Sequence, residues 1–253
     1  MDYATYCEEL TREGGRFVER ARHAEITDQI TAPVASCPGW RVSDLMTHLG
    51  TVHRWAEHLV RVRAPARIST RDMGLSRGPV DPRWLAEGLD QLVTTLRASD
   101  PDAEMWSWGV DQHVRFWARR QLHETLVHRL DLEGAMGLPS EIDPEVGVDA
   151  IGEFLSNLPA AASFSPDVRN LVGAGEVLAF VTSEGRRWRR RLDPGGFVEV
   201  REDDEVPAAA TLRATTAELL MVVTRRRALE DSTCEVGGRR DLIEHWLANS
   251  ALQ

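Results

Sequence analysis

The stretch LHETLVHRLD, from Leu122 to Asp131, gathers two histidines and a glutamate into one short run. It nearly spells His-Glu-x-x-His, in which histidines four apart share a helix face and hold zinc beside a glutamate general base. His123 and His128 are five apart, which turns them about 140° from each other on a helix, too far to reach one ion. One frame later, Glu124 and His128 are four apart and stack on one face, where a carboxylate oxygen and an imidazole nitrogen converge. Taken alone, the pair also reads as an exposed helical hydrogen bond. It supplies two ligands, whereas a catalytic zinc takes three and keeps a fourth position open.

A third candidate lies upstream. In SDLMTHLGTVHRWAEHLVRV, His48 falls inside an apolar stripe of Leu45, Leu49, Val52, Ala56 and Leu59, with His53 and His58 on its flanks. A histidine on the apolar face of a helix is costly unless its ring is hydrogen-bonded or metallated. One inward histidine and an inward Glu/His pair from another helix can meet inside a bundle, where metal sites are commonly built. Two histidines and a glutamate form a ligand set of zinc sites with an open position. His48, Glu124 and His128 are therefore the candidate metal ligands, and a satisfied core histidine is the alternative for His48.

Four helices must position these residues. Amphipathic periodicity predicts one from about Tyr3 to His23, weakened at Gly14-Gly15, and a second opening on Ser43 as N-cap. Asp81-Pro82 starts a third, and a fourth runs from about Gln112 to a stop near Gly134 to Gly137. Between the second and third, Ala64 to Asp81 is a long aperiodic loop, a functional cover or a disordered segment. After Leu138-Pro139 the texture changes. A helix around Pro144 to Asn157 leads into short apolar runs broken by Ser-Glu-Gly and Asp-Pro-Gly-Gly turns, then a strand near Ala208 to Arg213 and helices near Thr216 to Val223 and Arg239 to Asn249. The predicted organisation is a four-helix bundle over residues 1–138 and a smaller α+β domain over 139–253.

Bulk composition narrows the function. The 253 residues carry a net charge of −10, which argues against nucleic acid as a partner. Every one of the 30 basic residues is arginine, so Schiff-base and P-loop lysine chemistry are excluded. Cys7, Cys37 and Cys234 are few and far apart, no apolar run approaches membrane-span length, and MDYATYCEEL lacks an apolar leader core. A cytoplasmic protein is expected, without a membrane partner. The arginine run from Arg186 to Arg191 reads as a solvated hairpin face. Trp40 and Trp55, with Trp106, Trp108 and Trp117, are core residues or the lining of a sugar pocket, and Cys37 reads as a plain buried cysteine.

The segments CPGWRVSDLMTHLGTVHRW and WARRQLHETLVHRLDLE resemble the two signature regions of the actinobacterial mycothiol-dependent maleylpyruvate isomerase family. The matching residues are Pro38-Gly39-Trp40, His48, and Glu124 with His128, Arg129 and Asp131. The resemblance implies a DinB-like four-helix bundle followed by a domain related to sterol carrier proteins. It also implies a divalent metal, usually zinc, on His48, Glu124 and His128, with mycothiol as thiol cosubstrate. A looser match in AELLMVVTRRRALE and CEVGGRRDLIEHWLA aligns Arg225 with the arginine the family keeps at a helix end beside the site. Val223-Thr224 stands where the family has Trp-Gly, and Gly237-Gly238 where it has Gly-Asp.

In that family the metal-activated thiolate adds to the cis double bond of maleylpyruvate, the resulting single bond rotates, and expulsion of the thiol gives fumarylpyruvate. Arg225 would hold the substrate carboxylate or stabilise the enolate, and Trp40, Trp55 and Arg225 would contact the cofactor. Asp131 would steady a ligand or be an ordinary helix-end carboxylate. The same activated thiol suits a mycothiol S-transferase or a rearrangement of a biosynthetic intermediate. Two further readings stay open: a non-catalytic metal- or ligand-binding protein, whose site a residue such as His53 or His123 would close, and a hydrolase using metal-activated water.

Overall fold

The computed structural model describes residues 1–75, 78, 80–201, 204 and 206–252. The chain forms two compact units, Met1–Ser140 and Glu141–Gln253.

The first unit is a bundle of α1 (Tyr3–Ile26), α2 (Val42–Arg61), α3 (Pro82–Ala98) and α4 (Val114–Ala135). Helix α1 packs on α3 and α4, and α2 on α3 and α4. Local chemistry sets the ends. Asp2 caps α1 by accepting from the Thr5 amide at 2.8 Å, and Asp81 caps α3 by accepting from Trp84 at 2.7 Å with Pro82 in the first turn. Gly137, at φ 66°, follows the C-cap Met136 of α4 in the left-handed conformation that glycine adopts without penalty. Gly14 does not interrupt α1, because a Cβ there would lie 2.5 Å from the Leu89 side chain: the missing side chain lets α3 approach. Ser43 is not the N-cap of α2. The cap lies two residues earlier, at Arg41, whose amide donates to the Asp44 carboxylate at 2.8 Å.

The long loop after α2 has no helix or strand among its described residues, and its positions 76, 77 and 79 lie outside them. It is tied back where the Trp55 indole donates to the Ile68 carbonyl at 2.7 Å.

The second unit holds α5 (Pro144–Ala161), β1 (Glu176–Thr182), β2 (Arg187–Asp193), β3 (Gly196–Glu199), β4 (Ala210–Ala214), α6 (Thr216–Val223), β5 (Glu235–Gly238) and α7 (Arg240–Asn249). The sheet order is β3-β2-β1-β4-β5, with β1 and β4 parallel and the other pairs antiparallel. Trp246 of α7 is fully buried against Phe180 and Phe197, with ring centroids 5.3 and 4.9 Å away.

The arginine run is only in part the solvated face expected of it: Arg186 and Arg187 are exposed. Arg189 and Arg190 are buried. The Arg189 guanidinium donates to the carbonyls of Arg201, Asp204 and Val206, and Arg190 reaches Glu199 across the β2–β3 ladder. Buried guanidinium groups require such partners, so Arg189 and Arg190 fasten β2 to the segments beside it. Among the described residues no helix is long and apolar enough to cross a membrane.

Candidate functional site

Helix α4 departs from the usual division of a bundle helix into apolar and solvated faces. Arg120, Gln121, His123, Thr125, His128, Arg129, Asp131 and Glu133 are all buried on it. Polar groups are dehydrated at that density only where they satisfy one another or serve a ligand.

The predicted triad joins one of them, buried His128, to the partly buried Glu124 of α4 and His48 of α2. His48 Nε2 and His128 Nε2 each lie 3.2 Å from the same oxygen, Glu124 Oε1, and the ring centroids are 4.9 Å apart with planes at 79°. Ligand atoms spaced by roughly 3.3 Å form the edges of a tetrahedron around an ion with bonds of 2.0–2.1 Å. The spacing and the donor set, two imidazoles and one carboxylate, therefore fit a divalent cation.

Electrostatics around the triad point the same way. Burial pushes the Glu124 carboxyl up, but the Arg120 guanidinium and the hydrogen bonds from His128 and His48 outweigh it and hold the group well below the usual carboxylate range. Arg120 Nη2 donates directly to Glu124 Oε2. Burial pushes His128 down, yet hydrogen bonds to Asp131 and Glu124 more than reverse this and raise it. Asp131 Oδ2 accepts from His128 Nδ1 at 2.9 Å, so both ring nitrogens face carboxylates.

Trp40 belongs to the same cluster, its ring 4.9 Å from His48 and 6.5 Å from His128. Trp55 does not share its place. It packs against Trp106 and Trp117 at 6.1 and 5.2 Å, in an aromatic cluster that continues through Phe116 to Trp108. Arg120 lies 5.8 Å over the Trp108 ring, which connects the cluster to Glu124. Arg225, in the second unit, follows α6 at φ 61°, is exposed, and donates to the Ala248 carbonyl at 3.1 Å.

The assignment of His48 to the apolar stripe and His53 to its flank is reversed. His53 is buried at 3% exposure and the His48 side chain is 34% exposed. Because α2 packs on both α3 and α4, its buried arc widens to take in His53, and His48 sits at the edge where the site opens. Thr125 spends its only hydroxyl proton on the Gln121 carbonyl at 2.6 Å, so it accepts from His53 Nε2 at 2.8 Å. Among the described residues, the groupings of acidic, histidine and cysteine side chains with ligand spacing are His48–Glu124–His128 and Cys37–His128–Asp131. Neither His53 nor His123 joins them as a fourth ligand.

His53 yields a pH prediction. Burial holds it at about 3, against about 6.5 when unfolded, so the unfolded chain binds the extra proton over that interval. Stability from this group is complete above about pH 6.5 and is lost as pH falls. Chemical denaturation at about pH 7 and about pH 5.5 should show the wild type losing about 1 kcal/mol more than His53→Gln. Equal losses would show that His53 is not held neutral.

Sequence reasoning missed Arg120 and Ser36. Arg120 stands four residues before Glu124, a legible ion-pair spacing. Ser36, whose hydroxyl donates to Asp131 at 2.5 Å, is 95 residues from its partner, and no local pattern announces such a bond.

The family model described as "Mycothiol maleylpyruvate isomerase N-terminal domain" matches residues 7–133, the interval that contains the triad, Trp40 and Asp131. Two crystal structures of the mycothiol-dependent maleylpyruvate isomerase, one bearing a histidine-to-alanine mutation, are similar in fold. Each aligns at a TM-score of 0.59 and 14% identity, covering 93% of this chain and 93% of its own. No curated protein matches the chain in sequence. With a family model spanning half of its residues and a shared fold over nearly all of them, the chain belongs to the mycothiol maleylpyruvate isomerase family.

Proposed function

We propose that this protein is a metal-dependent enzyme that uses mycothiol as a thiol cosubstrate and acts on a small electrophile, as in the cis-trans isomerisation of maleylpyruvate to fumarylpyruvate. The observation that carries the reading is the convergence of His48 Nε2 and His128 Nε2 on Glu124 Oε1, with a metal ligand set that lacks a fourth protein ligand among the described residues. His48, Glu124 and His128 would hold a divalent cation, zinc by ligand type, which would supply the Lewis acidity that favours the thiolate form of a thiol at neutral pH.

The chain's own residues prepare that chemistry. Asp131 holds the proton on His128 Nδ1 and so directs Nε2 to the ligand position. Arg120 keeps Glu124 anionic. Trp40 lies against both imidazoles and limits the water that reaches them. Arg225 is the cation assigned to a substrate carboxylate or enolate, an assignment that rests on the family resemblance.

Metal analysis of the purified chain, with turnover of maleylpyruvate measured in the presence and absence of mycothiol, tests the reading. Bound zinc near one equivalent and strictly thiol-dependent turnover without net thiol loss are expected. Stoichiometric consumption of thiol would make the protein a transferase, and full turnover without thiol would overturn the proposal.

A further inference from the structure

Asp131 is a buried carboxylate, its side chain fully enclosed, and its two oxygens have different partners. Oδ2 accepts from His128 Nδ1 at 2.9 Å and faces the Cys37 thiol at 3.8 Å, while Oδ1 accepts from the Ser36 hydroxyl at 2.5 Å. Ser36 comes from the loop that precedes α2, the helix carrying His48, whereas Asp131 and His128 belong to α4. The Ser36–Asp131 bond therefore joins the two elements whose separation sets the spacing of the triad.

The loop is built to transmit that restraint. Its backbone closes on itself where the Val34 amide donates to the Trp40 carbonyl at 2.9 Å, Cys37 to Val34 at 3.0 Å and Trp40 to Cys37 at 2.9 Å. Gly39 sits at φ 85°, a conformation that a side chain would strain. Trp40, at the far end of this turn, lies against the His48 ring. The turn thus grips the site twice, by a hydroxyl on the carboxylate behind one histidine and by an indole against the other.

We propose that Ser36 is a positioning residue for the metal site: by holding Asp131 through Oδ1, it fixes the ring of His128 and the direction of its Nε2. The inference rests on the metal-site reading above, and its test separates the two. Loss of an outer hydrogen-bond partner of a histidine ligand typically costs 10- to 100-fold in metal affinity. Ser36 acts through that partner, Asp131, so Ser36→Ala should weaken zinc binding by up to roughly 10-fold, the lower end of that range, measured by competition with a chelating indicator on the full chain. Ser36→Thr, which keeps the hydroxyl, should restore most of it. In the zinc-free protein, the His128 Nδ1 proton, followed by 15N-edited NMR, should exchange with solvent at least several-fold faster in Ser36→Ala than in wild type or Ser36→Thr. Ser36→Cys, a weaker donor, should fall between and carries the test if the alanine variant does not fold.

An unchanged Nδ1–H exchange rate overturns the assignment of Ser36, as does an unchanged affinity in a chain whose wild type binds zinc. A wild type that takes up no zinc sinks the metal reading instead, and the exchange measurement then decides the role of Ser36 alone.

Discussion

His48→Ala should abolish zinc retention and thiol-dependent turnover while leaving the folded chain nearly as stable as the wild type. Three observations set these two magnitudes apart. The His48 side chain is 34% exposed and its polar contact is the 3.2 Å approach to Glu124, and partly exposed pairs of this kind contribute between zero and about 1 kcal/mol. Alanine is also a better helix former than histidine in α2. Glu124, meanwhile, keeps Arg120 and His128 as partners. Binding, by contrast, loses one ligand of three, which must exceed the roughly 10- to 100-fold cost of losing an outer partner. Metal content after dialysis against a weak chelator, thermal midpoints with and without zinc, and single-substrate kinetics measure the three effects. A variant that keeps stoichiometric zinc would remove His48 from the ligand set, and with it the proposed centre.

Much of this was readable because the determining forces are local. The α3 start at Asp81 depends on a side chain three residues from the amide it satisfies. The Glu124–His128 pair depends on a four-residue helical spacing. What the sequence hid is nonlocal or lacks contrast. Strand β5 is four residues, Glu235–Gly238, mostly exposed and half glycine, so no alternation marks it. Arg189 of β2 looks solvated because charge normally is, and its burial is matched by carbonyls of a segment ten or more residues away. His53 and His48 exchanged roles because a single stripe describes contact with one neighbour, whereas α2 has two.

Arg129→Met should produce the opposite signature to His48→Ala: a large loss of stability with zinc affinity kept within a few-fold of wild type. Arg129 is enclosed, at 1% exposure, between Glu13 and Glu133, at 1% and 2%. Its Nε and Nη1 donate to them at 2.6 Å each, while Arg16 and Arg20 reach the same carboxylates at 3.1 Å from α1. Removing the central cation leaves two buried carboxylates short of charge, which typically costs about 3–5 kcal/mol, on the order of 10–20 °C in thermal midpoint for a unit of this size. Replacing all three residues together, as Glu13→Gln, Arg129→Met and Glu133→Gln, should recover much of that loss, because no buried unpaired charge remains: Arg16 and Arg20, which lose their carboxylates, are 41% and 43% exposed. Zinc affinity should survive because consecutive helical residues point about 100° apart. Arg129 faces α1, while His128 faces the His48 ring of α2. If Arg129→Met cost less than about 1 kcal/mol, the buried network would not be what holds α4 to α1; if it released zinc at unchanged stability, Arg129 would belong to the site and the division of α4 into a fastening face and a ligand face would be wrong.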